Sequence, residues 1–247
     1  MRAPMVAGNW KMNGSGAICR EFLEHFSVDG SVDVVLFPPF LYTSRLSKGL
    51  EERSISVGVQ NIFSARSGAY TGEIGAEMAV DAGAKYGLVG HSERRNLFSE
   101  SDELVAEKFV ACQRAGLTPV LCVGESFEER EGGGAESVVR RQMDAVMKAV
   151  GVKGFANAVI AYEPVWAIGT GETARPDQAQ SMHAFIRAVL TQFDAAIATN
   201  IKVLYGGSVK ANNARELFAE QDIDGGLVGG ASLELMEFEK ICRAASH

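Results

Sequence analysis

Long apolar runs are missing from this 247-residue chain: no stretch approaches the roughly 20 residues that cross a bilayer, and no apolar signal-like region stands at the N-terminus. Neither a membrane protein nor a secreted one is expected, and the Asn13-Gly14-Ser15 sequon is read as incidental. Basic excess is missing too. A net charge of −7 and a pI near 5.2 leave no cationic face to neutralise a nucleic-acid backbone. Cys19, Cys112, Cys122 and Cys242 show no C-x-x-C spacing and no histidine partner, which argues against a zinc or dithiol site. Cys122, inside an apolar run, reads as a small buried hydrophobe. Unpaired thiols suit a reducing compartment, so the expected location is cytoplasmic.

What is present is ordinary for a globular protein, with 47% apolar and 22% charged residues. Eight short apolar runs stand at 5–7, 34–37, 55–59, 87–89, 119–123, 159–162, 202–205 and 226–228. They barely alternate, as parallel strands buried on both faces do not. Helical spacing fills the intervals: Ile18, Phe22 and Phe26; Val105, Phe109 and Cys112, stopped at Gly116; Val139, Met143, Val146 and Val150, stopped at Gly151; and Met182, Ile186 and Val189, opened by Pro176. Strand then helix, eight times over with short connections, predicts an α/β chain folded as a closed (β/α)8 barrel. An open doubly wound sheet is the runner-up, unsupported because no G-x-G-x-x-G follows the first run. Residues 128–136, with three consecutive glycines, read as a solvated loop. No linker divides residues 1–247, which are read as one catalytic domain.

In such a barrel the residues just past each strand build the active site. They are Asn9 and Lys11 after the first run, His91 after the fourth, Glu163 after the sixth, Gly206-Gly207-Ser208 after the seventh and Gly229-Gly230 after the eighth. Singly, each has a bland structural reading; together they put a base, an imidazole, a cation and two glycine bends on one rim. Glycine turns let backbone N–H groups approach a phosphate closely. A carboxylate, an imidazole and an ammonium beside a phosphate suit proton abstraction from carbon next to a carbonyl, which requires no metal or cofactor. Residues 161–171 run from a strand through Glu163-Pro164 and Val165, Trp166 and Ile168 to Gly-Thr-Gly. So apolar a segment reads as a lid that excludes water.

The segments Gly8-Asn9-Trp10-Lys11-Met12-Asn13, Gly90-His91-Ser92-Glu93-Arg94-Arg95, 161–171, Tyr205-Gly206-Gly207-Ser208-Val209 and Leu227-Val228-Gly229-Gly230-Ala231-Ser232 resemble, in order and across nearly the whole chain, the motifs of the triosephosphate isomerase family. The resemblance implies a TIM barrel that interconverts dihydroxyacetone phosphate and glyceraldehyde 3-phosphate through an enediolate, without cofactor. It implies Glu163 as proton shuttle, His91 as neutral electrophile and Lys11 with Asn9 on substrate oxygens. Glu93 would support them, and the N–H groups of Gly169, Ser208, Gly229 and Gly230 would hold the phosphate. It also implies a homodimer in which the long 60–73 turn carries Thr71 toward the partner's site. Two other functions stay open: a Schiff-base aldolase using Lys11, and a barrel that binds triose phosphates without turning them over.

Overall fold

A strand covered on both faces gains nothing from alternation, and all eight apolar runs do form parallel strands. In the computed structural model, which describes residues 2–28, 30–53, 55–168 and 173–246, they are β1 (Met5–Asn9), β2 (Asp33–Phe37), β3 (Ile55–Val59), β4 (Tyr86–Val89), β5 (Thr118–Val123), β6 (Val159–Tyr162), β7 (Lys202–Tyr205) and β8 (Gly225–Val228). They close in chain order, β8 returning to β1 with Met5 opposite Gly225. One face of each strand points into the barrel: Met5, Ala7, Val35, Phe37, Leu88, Val120, Cys122 and Leu204 fill it. Their neighbours Val6, Leu36, Leu121 and Val203 point outward, against the helices.

Among the described residues the helices are α1 (Gly16–His25), α2 (Phe40–Leu50), α3 (Ala76–Asp81), α4 (Ser92–Leu97), α5 (Asp102–Ala115), α6 (Phe127–Glu131), α7 (Ala135–Val150), α8 (Pro176–Thr191), α9 (Ala195–Asn200), α10 (Ala214–Phe218) and α11 (Leu235–Ala244). Local signals set their ends. Ser15 accepts from Ile18 N–H to open α1, Gly116 closes α5 in the left-handed region at φ 88°, and Pro176 is the first residue of α8. The stretch 128–136 departs from the expected loop. Ser126 and Glu129 form a capping box that winds α6, and only Gly132–Gly134 separate it from α7. β1 also runs two residues past its apolar run, because Gly8 and Asn9 still pair with Leu36 and Phe37.

His183 on α8 is fully buried, edge-on to the Tyr162 ring at 5.9 Å between centroids, with Nδ1 3.2 Å from the Asp222 carbonyl oxygen. Burial, reinforced by the Arg187 guanidinium, brings its pKa down to about 3. The unfolded chain, with an ordinary histidine near 6.5, therefore binds the extra proton between these values. The contribution of neutral His183 is complete above pH about 6.5 and drains away toward pH 3, by at most about 1.4 kcal/mol per pH unit. Urea midpoints compared at pH 7 and pH 5 should fall less in His183→Gln than in the wild type; equal falls would contradict the assignment.

Candidate active site

Because every strand is parallel, their C-terminal ends share one rim, and there a cavity of about 260 Å³ is lined by Asn9, Lys11, His91, Glu163, Ser208, Gly229 and Gly230. Each of these residues was expected there from its place in the sequence. Gly169, the other expected phosphate contact, lies with Thr170 and Gly171 outside the described residues.

Lys11 occupies the left-handed region at φ 52°, unusual for a residue with a side chain. Two neighbours hold it there: Asn9 Oδ1 accepts the Lys11 N–H at 3.0 Å, and Gln60 Nε2 donates to the Lys11 carbonyl at 2.8 Å and to the Phe37 carbonyl at 2.9 Å. This turn, stored as local backbone strain, aims the ammonium into the cleft. There Nζ lies 2.6 Å from Glu93 Oε1, and the side-chain end flanks Gly229.

His91 is the N-cap of α4 and is nearly buried. Its Nδ1 accepts the Glu93 N–H at 3.3 Å. An accepting Nδ1 leaves the ring proton on Nε2, the nitrogen that faces the cavity. That nitrogen lies 3.0 Å from Glu163 Oε1. Glu163, 2% exposed, also accepts from Ser92 N–H at 2.9 Å and Ser92 Oγ at 3.2 Å. The carboxylate is thus parked at the start of α4, where the helix end favours negative charge. Below it, burial and then the Glu163 carboxylate raise the Cys122 thiol well above its ordinary pKa, so the sulfur stays protonated.

After Glu163 the chain leaves the ladder at Pro164 and makes a 3-10 turn, Val165–Ala167. Glu125, fully buried, organises this departure: its Oε1 accepts from Tyr162 OH at 3.0 Å and Trp166 Nε1 at 2.9 Å, and pairs with Arg130 at 2.9 Å. Burial first and Glu125 second push the Tyr162 hydroxyl up, which keeps it a donor. Ser208 Oγ donates to the Ala167 carbonyl at 2.9 Å, joining the turn after β7 to the 3-10 turn that follows β6. Neither Glu125 nor Gln60 was expected from the sequence. The strand-end rule, applied to β5 and to β3, reaches both Gly124-Glu125 and Gln60 directly. Among the described residues no group of three His, Cys, Asp or Glu side chains converges as a metal site would.

A family model described as triosephosphate isomerase matches residues 4–245. Curated proteins named triosephosphate isomerase match the chain end to end. That of Xanthomonas campestris pv. campestris (strain 8004) is 54% identical over 250 residues, covering 100% of this chain and 99% of its own. That of Pseudomonas entomophila (strain L48) is 55% identical over 251 residues, with both chains fully covered. That of Stenotrophomonas maltophilia (strain K279a) is 53% identical over 249 residues, again over 100% of this chain and 99% of its own.

Proposed function

The chain belongs to the triosephosphate isomerase family, and from that premise we propose that it interconverts dihydroxyacetone phosphate and D-glyceraldehyde 3-phosphate, a step of glycolysis, as one catalytic domain with Glu163 as its base. The observation that carries the assignment of roles is the meeting of Glu163, His91 and Lys11 at one small cavity beside two glycine turns. The phosphate seats on the backbone of Ser208, Gly229 and Gly230. The carbonyl oxygen takes the Nε2–H of His91 and faces the Lys11 ammonium, and Asn9 borders the same oxygens. By drawing the His91 N–H to itself, substrate removes one of the bonds that park Glu163.

Glu163 then removes a proton from the carbon beside the carbonyl. The C–H electron pair becomes the C=C bond and the carbonyl π pair moves onto oxygen, giving an enediolate stabilised by His91 and Lys11. The same carboxylic acid returns the proton to the neighbouring carbon, while the hydroxyl proton moves between the two oxygens. Every group in this cycle belongs to the protein or the substrate.

Run in deuterium oxide, the reaction should place solvent deuterium on carbon in the product, because an enediolate waits beside an exchangeable acid. Borohydride added during turnover should leave Lys11 unmodified. A trapped adduct on Lys11, or a product free of solvent label even when conversion is slowed, would favour other chemistry.

The assembly we propose is a homodimer built through the 60–73 turn, working in the cytoplasm, where its four unpaired cysteines would stay reduced. Phe63 packs against Tyr70 with tilted rings, 4.4 Å between centroids, and gives the turn internal order, yet Tyr70, Thr71 and Glu73 face outward. Met12, Leu97 and Phe98, which border the site motifs, are exposed as well. Exposed apolar side chains this close in sequence to the site residues suit a subunit contact. Sedimentation equilibrium at micromolar concentration should return twice the chain mass; a fully active monomer would overturn the proposal.

A further inference from the structure

Behind the catalytic carboxylate lies a polar arrangement that the isomerisation steps leave unused. Gln142, on α7 and 5% exposed, makes a two-bond amide pair with a single residue's backbone: its Oε1 accepts Gly124 N–H at 2.8 Å and its Nε2 donates to the Gly124 carbonyl at 3.0 Å. The partners fix the orientation of the amide, since a backbone N–H needs an acceptor and a carbonyl needs a donor.

Gly124 belongs to the three-residue wall against which Glu163 is fastened. On one side of it, the Val123 carbonyl accepts Glu163 N–H at 2.7 Å; on the other, the Glu125 carbonyl accepts Val165 N–H at 3.1 Å. Between these bonds the two backbones lie flush, and a Cβ at Gly124 would be driven into the Glu163 carbonyl. The wall therefore sets the position of the base's backbone and of the turn that leads into the lid.

From behind, the wall is not packed solid. A cavity of about 520 Å³ opens there, lined by Gly124, Gln142, Ser92 and Glu163 among others. A stretch of backbone with open space at its back needs a tether, and Gln142 is the side chain that supplies it.

We infer that Gln142 is a positioning residue for the isomerisation: by clamping the Gly124 backbone it holds the 123–125 wall, and through it the pivot about which Glu163 swings from Ser92 to substrate. This rests on the reading of Glu163 as base. Displacement of a catalytic group by about 1 Å costs on the order of 10²-fold in rate, whereas the cradle residues Ser208, Gly229 and Gly230 follow β7 and β8 rather than β5. The expected signature is a loss in kcat with KM preserved. A misplaced base also leaves the enediolate waiting longer for its proton, so that elimination competes, in which its C–O bond to phosphate breaks and the electron pair leaves with inorganic phosphate.

The test is Gln142→Met, which keeps length and volume and removes both bonds. It should lower kcat by about 10- to 100-fold with KM for glyceraldehyde 3-phosphate within about threefold. Competitive inhibition by inorganic phosphate should stay within the same range, and phosphate release per turnover should rise. If Gln142→Met does not fold, Gln142→Asn keeps both amide partners but is one methylene short, and should show a smaller fall in kcat at unchanged KM. Wild-type kcat in either folded variant, or kcat and KM worsening together, overturns the inference. A Glu163→Gln enzyme that keeps a tenth of wild-type kcat or more would instead sink the reading of the base itself.

Discussion

Glu163→Gln should lower kcat by about 10³- to 10⁴-fold while KM for glyceraldehyde 3-phosphate stays within about threefold. The substitution keeps size: the amide oxygen takes the Ser92 N–H that now goes to Oε2, and the amide NH2, in the place of Oε1, donates to the Ser92 hydroxyl, which can accept. What it loses is the capacity to take a proton from carbon, and no neighbour replaces that capacity. His91 spends its Nδ1 lone pair on the Glu93 N–H, and the Glu93 carboxylate is engaged by Lys11. Glu163→Asp separates position from charge. It stays anionic but retracts by one methylene, so a loss of about 10²-fold is expected at unchanged KM. A steady-state assay coupled to consumption of the product decides the matter. A Gln variant keeping a tenth of wild-type kcat would remove Glu163 from the chemistry. A protein that only senses triose phosphates would be indifferent to both changes.

The strands were legible because both of their faces are buried, which turns a structural fact into a one-dimensional run of apolar residues. Their ends were less so. Asn9 is polar, and an apolarity rule stops before it, although its backbone still pairs with Phe37. The glycines at 132–134 signalled a loop and masked the Ser126–Glu129 pair that winds a short helix just before them. Within the site, the groups that face the cavity follow strands and could be read from order alone. For the groups that hold them, what each would bind could not be read. Gln60 reaches back to Lys11 across 49 positions, Glu125 gathers a tyrosine from β6, a tryptophan from the turn after it and an arginine from α6, and Gln142 reaches the backbone of Gly124 from α7. Support of this kind is defined by closure of the barrel, which no local pattern records.

Lys11→Met should raise KM by at least about tenfold and lower kcat by about 10²-fold. The protein carries a net charge of −7, so its overall field repels a phosphorylated substrate, and attraction must come from charge placed at the cleft itself. Among the residues lining the cavity the cations are Lys11 and Lys210; Lys210 is exposed, whereas the Lys11 ammonium is set in the mouth between Glu93 and Gly229. Methionine preserves the stem that packs beside Gly229 and deletes only the charge, which leaves Glu93 facing an anionic ligand without its partner. Ground-state binding therefore suffers, which appears in KM. The enediolate carries more charge on oxygen than the ketone does, so the transition state suffers further, and loss of one such stabilising group typically costs about 10²- to 10³-fold. Lys11→Arg should recover little, because a planar fork cannot replace a compact ammonium on a backbone turned to φ 52°. Steady-state parameters in both reaction directions would expose the split. If Lys11→Met kept kcat/KM within tenfold of the wild type, the ammonium would be a structural partner of Glu93 and nothing more.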